Sequence, residues 1–209
     1  MGDNMIKRNL LASVICTIIG TLNAVLYMIL VNVGVMQFSI MSYLFFIGYL
    51  ACVWLPFVVD IFTKSDFDTA VIVAYQIFVF VSVVLGSIWR MYDIWAGYDF
   101  VIHFASGILV TFIAHSVLER SKNNKQSQSW HIFTIFAMAV MVGALWEIWE
   151  FCWDGILGYN AQQHIGLVGR AALMDTMLDL ICDTIGAMIG CIITAIRMNI
   201  ENKRMHKSM

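Results

Sequence analysis

Three aspartates follow one another at four-residue intervals in the stretch DTMLDLICD. Asp175, Asp179 and Asp183 would share one face of a helix, because residues four apart lie one turn above one another. Gly186 and Gly190 continue that face. The spacing predicts a row of carboxylates on an otherwise apolar helix, and the glycines predict close approach of another helix.

Two further segments place acids at helical spacing. In DFVIHFASG, Asp99 and His103 are four residues apart and Gly107 follows on the same face. In WEIWEFCWD, Glu147 and Glu150 are three residues apart. Several carboxylates with one imidazole form a donor set for hard or borderline divalent ions, here Mg²⁺, Mn²⁺, Ca²⁺ or Zn²⁺. Such an ion could activate water or hold a phosphate.

These residues predict a divalent-metal site built from three helices. The predicted metal ligands are Asp99, His103, Glu147, Glu150, Asp175, Asp179 and Asp183. If the site turns over a substrate, the predicted catalytic groups are His103, Glu150 and Asp183. The residues predicted to bind the substrate are Arg90, Arg170 and Gln163. The residues alone leave open whether the protein is an enzyme.

The chain holds these acids in a very apolar setting. Of its 209 residues, 61% are hydrophobic and 12% are charged, against about 45–50% and about 25% in soluble domains. The apolar residues fall in blocks of roughly 20, enough to cross a hydrocarbon core about 30 Å thick. We therefore predict an all-α, polytopic membrane protein that forms a single transmembrane domain. Its six helices are expected in one bundle, at about residues 10–32, 37–61, 69–91, 99–119, 131–153 and 174–196.

Basic residues set the predicted orientation. Of the 12 lysines and arginines, all but Arg90 and Arg170 flank one side of the membrane. The positive-inside rule then places both termini in the cytoplasm and the loop 154–173 on the outer side. A loop of this length is often functional, and it could cover the acid cluster. We expect a multi-pass membrane protein that contacts lipid and has no nucleic-acid partner. The oligomeric state is left open.

Acids within membrane helices are costly, at about 2.5–3.5 kcal/mol each on a lone helix. At about 1.5 Å per residue, Asp183 lies roughly 12–15 Å below the outer end of its helix. Such acids must face the bundle interior, where they are protonated, hydrogen-bonded or bound to a cation. Because the acids near the outer side outnumber the two arginines there, protonation and a bound metal remain as the means of neutralising them.

The order of the motifs resembles a known family. The chain carries D-x-x-x-H-F-x-x-G at Asp99–Gly107, W-E-x-x-E-F at Trp146–Phe151 and D-T-M-x-D-L-x-x-D-x-x-G-A at Asp175–Ala187. Together these are similar to the YjdF-like family of uncharacterised bacterial inner-membrane proteins. More distantly, the chain resembles the VanZ-like family, which has a similar acid-x-x-x-His-Phe segment and a late Asp-to-Gly helix. The resemblance covers about residues 90–195 and implies a bacterial inner-membrane protein without assigning an activity.

Three functions remain open at this point. The acid cluster favours a metal site that acts on, or binds, a lipid-linked or phosphate-bearing envelope molecule. A second possibility is a cation- or proton-coupled transporter, although TIGAMIGCIITAI, which follows Asp183, offers few polar groups for a continuous path. The third is a non-catalytic accessory protein of the cell envelope, in which the polar network only holds the fold.

Overall fold

The protein is helical throughout a computed structural model that describes residues 2–36, 40–63, 67–120 and 127–208. These described ranges contain no β-strand. The segments long and apolar enough to cross a membrane are Leu10–Asn32, Ile40–Val59, Thr69–Ile88, Tyr98–Glu119, Gln128–Leu157 and Ala171–Met205. The prediction of an all-α protein with six membrane-spanning helices is therefore confirmed. The cytoplasmic placement of both termini stays a prediction.

The chain divides into two compact units, Met1–Tyr98 and Asp99–Met209. The helical elements of the first are α1 (Gly2–Asn32), α2 (Ile40–Thr63), α3 (Thr69–Val79), a π-helical segment (Phe80–Ile88) and α4 (Met91–Ile94). Those of the second are α5 (Tyr98–Arg120), α6 (Gln128–Leu157), a 3₁₀ turn (Ala171–Leu173) and α7 (Met174–Ser208). The arrangement of all six spans in one bundle stays a prediction.

In the first unit, α3 compensates for a proline inside α2. Pro56 has no N–H, so the Cys52 carbonyl four residues earlier has no helical partner there. The Tyr75 hydroxyl donates to this carbonyl at 3.0 Å. The Gln76 side-chain amide donates to the next carbonyl, that of Val53, at 2.9 Å. Side chains of α3 thus satisfy α2 where the proline interrupts it, as an apolar surrounding requires.

The third membrane span changes helix type along its length. The span predicted at 69–91 consists of α3 followed by the π-helical segment. At its end, the Trp89 N–H bonds the Val84 carbonyl, five residues earlier, at 2.9 Å. Arg90 then has a left-handed backbone with φ of 61°, which ends the span. Its exposed side chain pairs with Asp93, with Nε 2.7 Å from Oδ2.

In the second unit, glycines bring α5 and α7 into backbone contact. A Cβ atom on Gly107 would overlap the Asp183 carbonyl oxygen, and one on Gly186 would overlap the Phe104 carbonyl oxygen. A Cβ atom on Gly190 would lie 2.8 Å from a side-chain atom of α5. The close approach predicted at Gly186 and Gly190 is confirmed. It places the polar groups of α5 directly against α7.

One end of the second unit gathers three helix ends. α6 ends at Gly158, whose left-handed φ of 62° is typical of a helix C-terminus. The link of residues 158–170 lies within the predicted loop 154–173 and leads through the 3₁₀ turn into α7. Gln163 in this link bonds side chains at the beginnings of both α5 and α7. We call this end of the unit the loop end.

Gly107→Ala is expected to lower the free energy of unfolding by about 1–3 kcal/mol, because the added methyl group forces α5 away from α7. The matched control is Gly155→Ala in α6, where a Cβ would meet nothing within 4 Å. That substitution is expected to be neutral or slightly stabilising, since alanine favours helix. Melting temperatures of the detergent-purified variants test this contrast, and equal melting of the two would contradict it.

Candidate metal centre

His103 lies at the centre of the acid cluster. Its Nε2 atom is 3.6 Å from Asp99 Oδ1, 3.9 Å from Glu147 Oε1 and 4.0 Å from Asp179 Oδ2. On the other side of the ring, Nδ1 is 3.0 Å from Asp183 Oδ2. One imidazole of α5 therefore meets carboxylates of α5, α6 and α7. The three segments that the sequence singled out do converge on one carboxylate–histidine cluster.

Within the cluster, Asp179 and Glu147 are buried, whereas Asp99 is partly exposed. The Asp179 side chain has 0% of its surface exposed, and the exposed fraction of the Glu147 side chain is 5%. The Asp99 side chain is 16% exposed. All members lie within the membrane-spanning segments. Burial at this level makes an unpaired charge costly, so the partners of each carboxylate decide what the cluster can do.

Asp179 has no such partner among the described residues. Both of its carboxylate oxygens are buried and lack a hydrogen-bond donor in that part of the chain. Glu147 is buried as well, and the donor beside it is the Thr176 hydroxyl. His103 Nε2 faces both acids, at 3.9 Å from Glu147 Oε1 and 4.0 Å from Asp179 Oδ2. A buried acceptor without a donor costs about 1–3 kcal/mol, and a charged one costs more, so the Asp179 oxygens need protons or a cation.

Asp183, unlike Asp179, has a partner for each of its carboxylate oxygens. Its Oδ2 faces His103 Nδ1, and the Ser106 hydroxyl donates to its Oδ1. The Asp183 side chain fits against α6 because Gly143 has no side chain; a Cβ there would lie 2.5 Å from Oδ2. Since a carboxylate only accepts hydrogen bonds, Nδ1 carries a hydrogen, and in the neutral imidazole Nε2 then has its lone pair towards the other acids.

Two of these supporting residues were not predicted, although the spacing contained a signal for both. Ser106 follows His103 by three residues and lies on the same face of α5. Gly143 precedes Glu147 by four residues and lies on the same face of α6. Neither residue type suggests a role until the position of α7 is known.

The donor atoms are close enough for one ion. Two donors bound to a metal at about 2.1 Å with a tetrahedral angle lie about 3.4 Å apart. The distances of 3.6–4.0 Å from His103 Nε2 exceed this by a few tenths of an ångström. Donor atoms of Asp99, His103 and Asp179 all lie within 4.8 Å of one another. Small side-chain rotations would allow these three groups to hold a metal together, and Glu147, which approaches the set at His103 Nε2, would join them by a larger movement.

Asp175 reaches the cluster through Gln163. The Gln163 amide donates from Nε2 to Asp175 Oδ1 at 2.8 Å and to Asp99 Oδ2 at 3.3 Å. Asp175 does not lie within 4.0 Å of the His103 ring nitrogens in the described structure. Gln163 was expected to contact the substrate, and here it bridges two of the predicted ligands. The ligand role of Asp175 stays a prediction.

Glu150 is held by its own helix. The Trp146 indole donates from Nε1 to Glu150 Oε1 at 2.9 Å. Among the described residues Glu150 forms no ion pair within 4.0 Å, unlike Glu147 one turn earlier. Three residues of helix leave a rotation of about 60° between the two side chains, so they need not face the same point. Its predicted roles as ligand and catalytic group stay predictions.

The two arginines differ in their surroundings. Arg170 is exposed at the loop end, directly before the 3₁₀ turn, and makes no ion pair within 4.0 Å in the described ranges. Arg90 belongs to the first unit and pairs with Asp93. The assignment of both to substrate binding stays a prediction.

Comparison with known proteins gives the family. The profile of the family described as "Predicted membrane protein (DUF2238)" matches residues 15–199. The chain belongs to this family. DUF2238 is the YjdF family, so the resemblance inferred from the motifs is confirmed. With its six apolar spans, this DUF2238 protein is a multi-pass membrane protein that contacts lipid.

A relative of the DUF2238 protein is an uncharacterized protein of Thermotoga maritima, 29% identical over 132 residues. The aligned region covers 63% of this chain and 65% of the relative's length. No solved structure matches the DUF2238 protein. These similarities give a family and a membrane class, and the function must be argued from the cluster itself.

One acid of α6 in the DUF2238 protein shapes the link rather than the cluster. Asp154 accepts the Ala161 N–H at Oδ1, at 2.7 Å, and the Gln162 N–H at Oδ2, at 3.0 Å. His164 Nδ1 lies 3.4 Å from the same Oδ2. Asp154 thus fixes the conformation of the link just before Gln163.

A second histidine contact lies three turns along α5 from His103. His115 Nδ1 of α5 is 2.9 Å from His131 Nε2 of α6, and the rings meet edge to face. His115 Nε2 also lies 3.6 Å from Glu119 Oε1. The sequence does not predict this contact, because nothing local indicates that residues of different helices will meet.

Proposed function

We propose that this DUF2238 protein binds a divalent cation through Asp99, His103, Glu147 and Asp179. The supporting observation is that both buried oxygens of Asp179 have no hydrogen-bond donor in the described chain, while Asp179 Oδ2 and Glu147 Oε1 both face His103 Nε2. A cation at their common focus would neutralise the carboxylates and use the free lone pair of the imidazole. It would therefore offset the cost that the acids impose within the membrane.

The charges around the cluster favour a cation over hydrogen bonds within the protein. No lysine or arginine of the described chain forms an ion pair with Asp99, Glu147 or Asp179. The histidine alone cannot balance three carboxylates. Protonation of the acids is the competing account, and it predicts no dependence on metal.

The donor set indicates the class of ion. Three carboxylates and one imidazole suit Mn²⁺ or Zn²⁺, which accept both oxygen and nitrogen donors. Mg²⁺ and Ca²⁺ prefer oxygen donors alone, so the histidine makes them weaker candidates. Asp183 and Ser106 complete the site by holding His103 on its other side. Such a carboxylate–histidine–metal arrangement is typical of functional metal sites.

The substrate side of the proposal rests on the loop end. Asp99 is the most exposed of the four ligands, and Arg170 is exposed at the same end of the unit. A metal with a nearby guanidinium can hold a phosphate. We therefore assign to the site a lipid-linked or phosphate-bearing envelope molecule, in a bacterial plasma membrane. The similarity to a Thermotoga maritima protein supports a bacterial membrane.

Metal content tests the proposal directly. Detergent-purified wild-type protein, dialysed against Mn²⁺ and then against metal-free buffer, is expected to retain about one Mn²⁺ per chain in elemental analysis. Glu147→Gln keeps the shape of the side chain and removes one ligand, so retention is expected to fall at least about tenfold. Glu150→Gln is the matched control, because Glu150 is bonded to Trp146. It is expected to retain the ion.

Failure of the wild-type protein to retain Mn²⁺, and Zn²⁺ after the same dialysis with Zn²⁺, would contradict the proposal and favour an accessory role with protonated acids. Equal retention by Glu147→Gln and the wild type would show that the ion binds elsewhere. A transporter remains the alternative, and the contact of His115 with His131 adds polar groups farther along α5. Cation or proton flux in liposomes that depends on Asp183 would favour it.

A further inference from the structure

Gln163 lies between solvent and the buried part of the carboxylate–histidine cluster. It is exposed, and its amide donates to Asp99 Oδ2 at 3.3 Å. The other oxygen of that carboxylate, Oδ1, lies 3.6 Å from His103 Nε2. Asp179, at 4.0 Å from the same nitrogen, has no exposed surface. A series of contacts therefore leads from the surface through Gln163, Asp99 and His103 to the most deeply buried carboxylate.

The same amide joins two helices at the loop end. Besides Asp99 at the start of α5, it donates to Asp175 Oδ1 at the start of α7, at 2.8 Å. Both acceptors are carboxylates, so the amide hydrogens occupy lone pairs that a cation entering from this end would use first. Breaking these two bonds frees the outer side of Asp99.

The backbone at Gln163 is held in an uncommon conformation. Its φ is 46°, in the left-handed region that non-glycine residues seldom adopt. The two preceding N–H groups, of Ala161 and Gln162, are bound by Asp154. Beyond it, Gly166 and Gly169 have positive φ values of 82° and 58°. The link is thus anchored on one side of Gln163 and has conformationally free glycines on the other, as expected of a movable cover.

We propose that Gln163 is the gate of the metal centre, and that ions enter and leave at the loop end when its amide releases Asp99 and Asp175. The inference rests on the proposed metal centre, because it concerns exchange of the ion bound there. The amide is not a ligand. It acts on the rate at which the ion reaches or leaves Asp99, while the ligands set the affinity.

The test compares rates of ion release. Detergent-purified full-length protein is loaded with Mn²⁺ and mixed with excess EDTA, and the released ion is followed by its electron paramagnetic resonance signal. Gln163→Asn shortens the side chain so that it cannot bridge the two carboxylates, and asparagine tolerates a left-handed backbone. Release is expected to be at least about tenfold faster than in the wild type, because a hydrogen bond to a carboxylate is lost. Loading at saturating Mn²⁺ is expected to remain about one per chain.

The neighbouring glutamine supplies a matched control. Gln162 also bonds α7, through the Thr176 hydroxyl at 2.8 Å, and does not bond a carboxylate through its side chain in the described structure. Gln162→Asn is expected to release Mn²⁺ within about threefold of the wild-type rate. Gln163→Gly provides a second variant, which removes the amide and relieves the left-handed backbone. It is expected to release Mn²⁺ as fast as Gln163→Asn.

The outcomes separate the gate from the centre. If the wild type and both Gln163 variants load fully and release Mn²⁺ at the same rate, the gate is overturned and the metal centre stands. If the Gln163 variants do not load at saturating Mn²⁺, the residue is required for binding and a gating role is also overturned. Failure of the wild type to bind Mn²⁺ overturns the metal centre and the gate together.

Discussion

Asp179→Asn is expected to stabilise the metal-free protein and to abolish its stabilisation by metal. Without an ion, Asp179 is a fully buried carboxylate with no hydrogen-bond donor in the described chain. The amide of asparagine has the same shape and no charge. Removing a buried charge that has no hydrogen-bond donor should raise the free energy of unfolding by about 1–3 kcal/mol.

With metal, the order of the two proteins is expected to reverse. An ion at one hundred times its dissociation constant stabilises the wild type by about 2.7 kcal/mol, provided it binds the folded state alone. For a chain of this size this corresponds to a rise of about 5–10 °C in melting temperature. Asp179→Asn lacks a ligand and should show little rise. Melting curves followed by tryptophan fluorescence, with and without Mn²⁺, measure the reversal.

A second buried acid provides the contrast. Asp154 accepts two backbone N–H groups of the link, so Asp154→Asn replaces one acceptor by a donor that opposes an N–H. It should lower the melting temperature with and without Mn²⁺ by similar amounts. If Asp179→Asn behaved in the same way, Asp179 would be a structural acid like Asp154, and the proposed ligand set would lose its most deeply buried member.

Asp179 and Asp183 show how far the sequence could predict this site. Their four-residue spacing predicted that both lie on one face of α7, and their type predicted an interior position. It could not predict that Asp183 is satisfied by His103 and Ser106 while Asp179 is left without donors. That difference depends on how α5 lies against α7, a long-range relation absent from the spacing within either helix.

Glu147 and Glu150 also differ in their contacts, although they belong to one helix. Both belong to the acidic segment that predicted ligands, and their spacing was compatible with one stripe. The structure directs Glu147 to His103, whereas the Trp146 indole binds Glu150. The four-residue spacing of Trp146 and Glu150 was available as a signal for this competing local contact.

Backbone features of the link were less accessible to prediction than the helices. Apolar blocks of about 20 residues predict membrane spans because the bilayer sets their length. No comparable rule predicts that Asp154 would fix the link and that Gln163 would turn back onto Asp99 and Asp175. The left-handed backbone of Gln163 in particular has no signature in its residue type, unlike that of Gly158.

Asp183→Asn is expected to weaken the binding of Mn²⁺ by about ten- to a hundredfold while leaving the stoichiometry at one per chain. The carboxylate holds His103 with Nδ1 protonated and Nε2 free for the metal. An asparagine that turns its oxygen to Nδ1 can donate to the Ser106 hydroxyl, which has the His103 carbonyl at 2.8 Å as another acceptor, but it lacks the negative charge that makes the imidazole a stronger ligand. The reverse orientation forces the ring hydrogen onto Nε2 and removes the metal-binding lone pair.

Dissociation constants from Mn²⁺ titrations distinguish this supporting role from direct ligation. If Asp183 bound the ion itself, its loss should be as severe as that of Asp179. Ser106→Ala removes one hydrogen bond and keeps the contact between Asp183 and His103, so it should weaken binding less than about tenfold. Gly143→Ala keeps every polar group and adds a methyl group beside the Asp183 carboxylate. Like Asp183→Asn, it should weaken the binding of Mn²⁺, because the affinity depends on where Asp183 holds the imidazole.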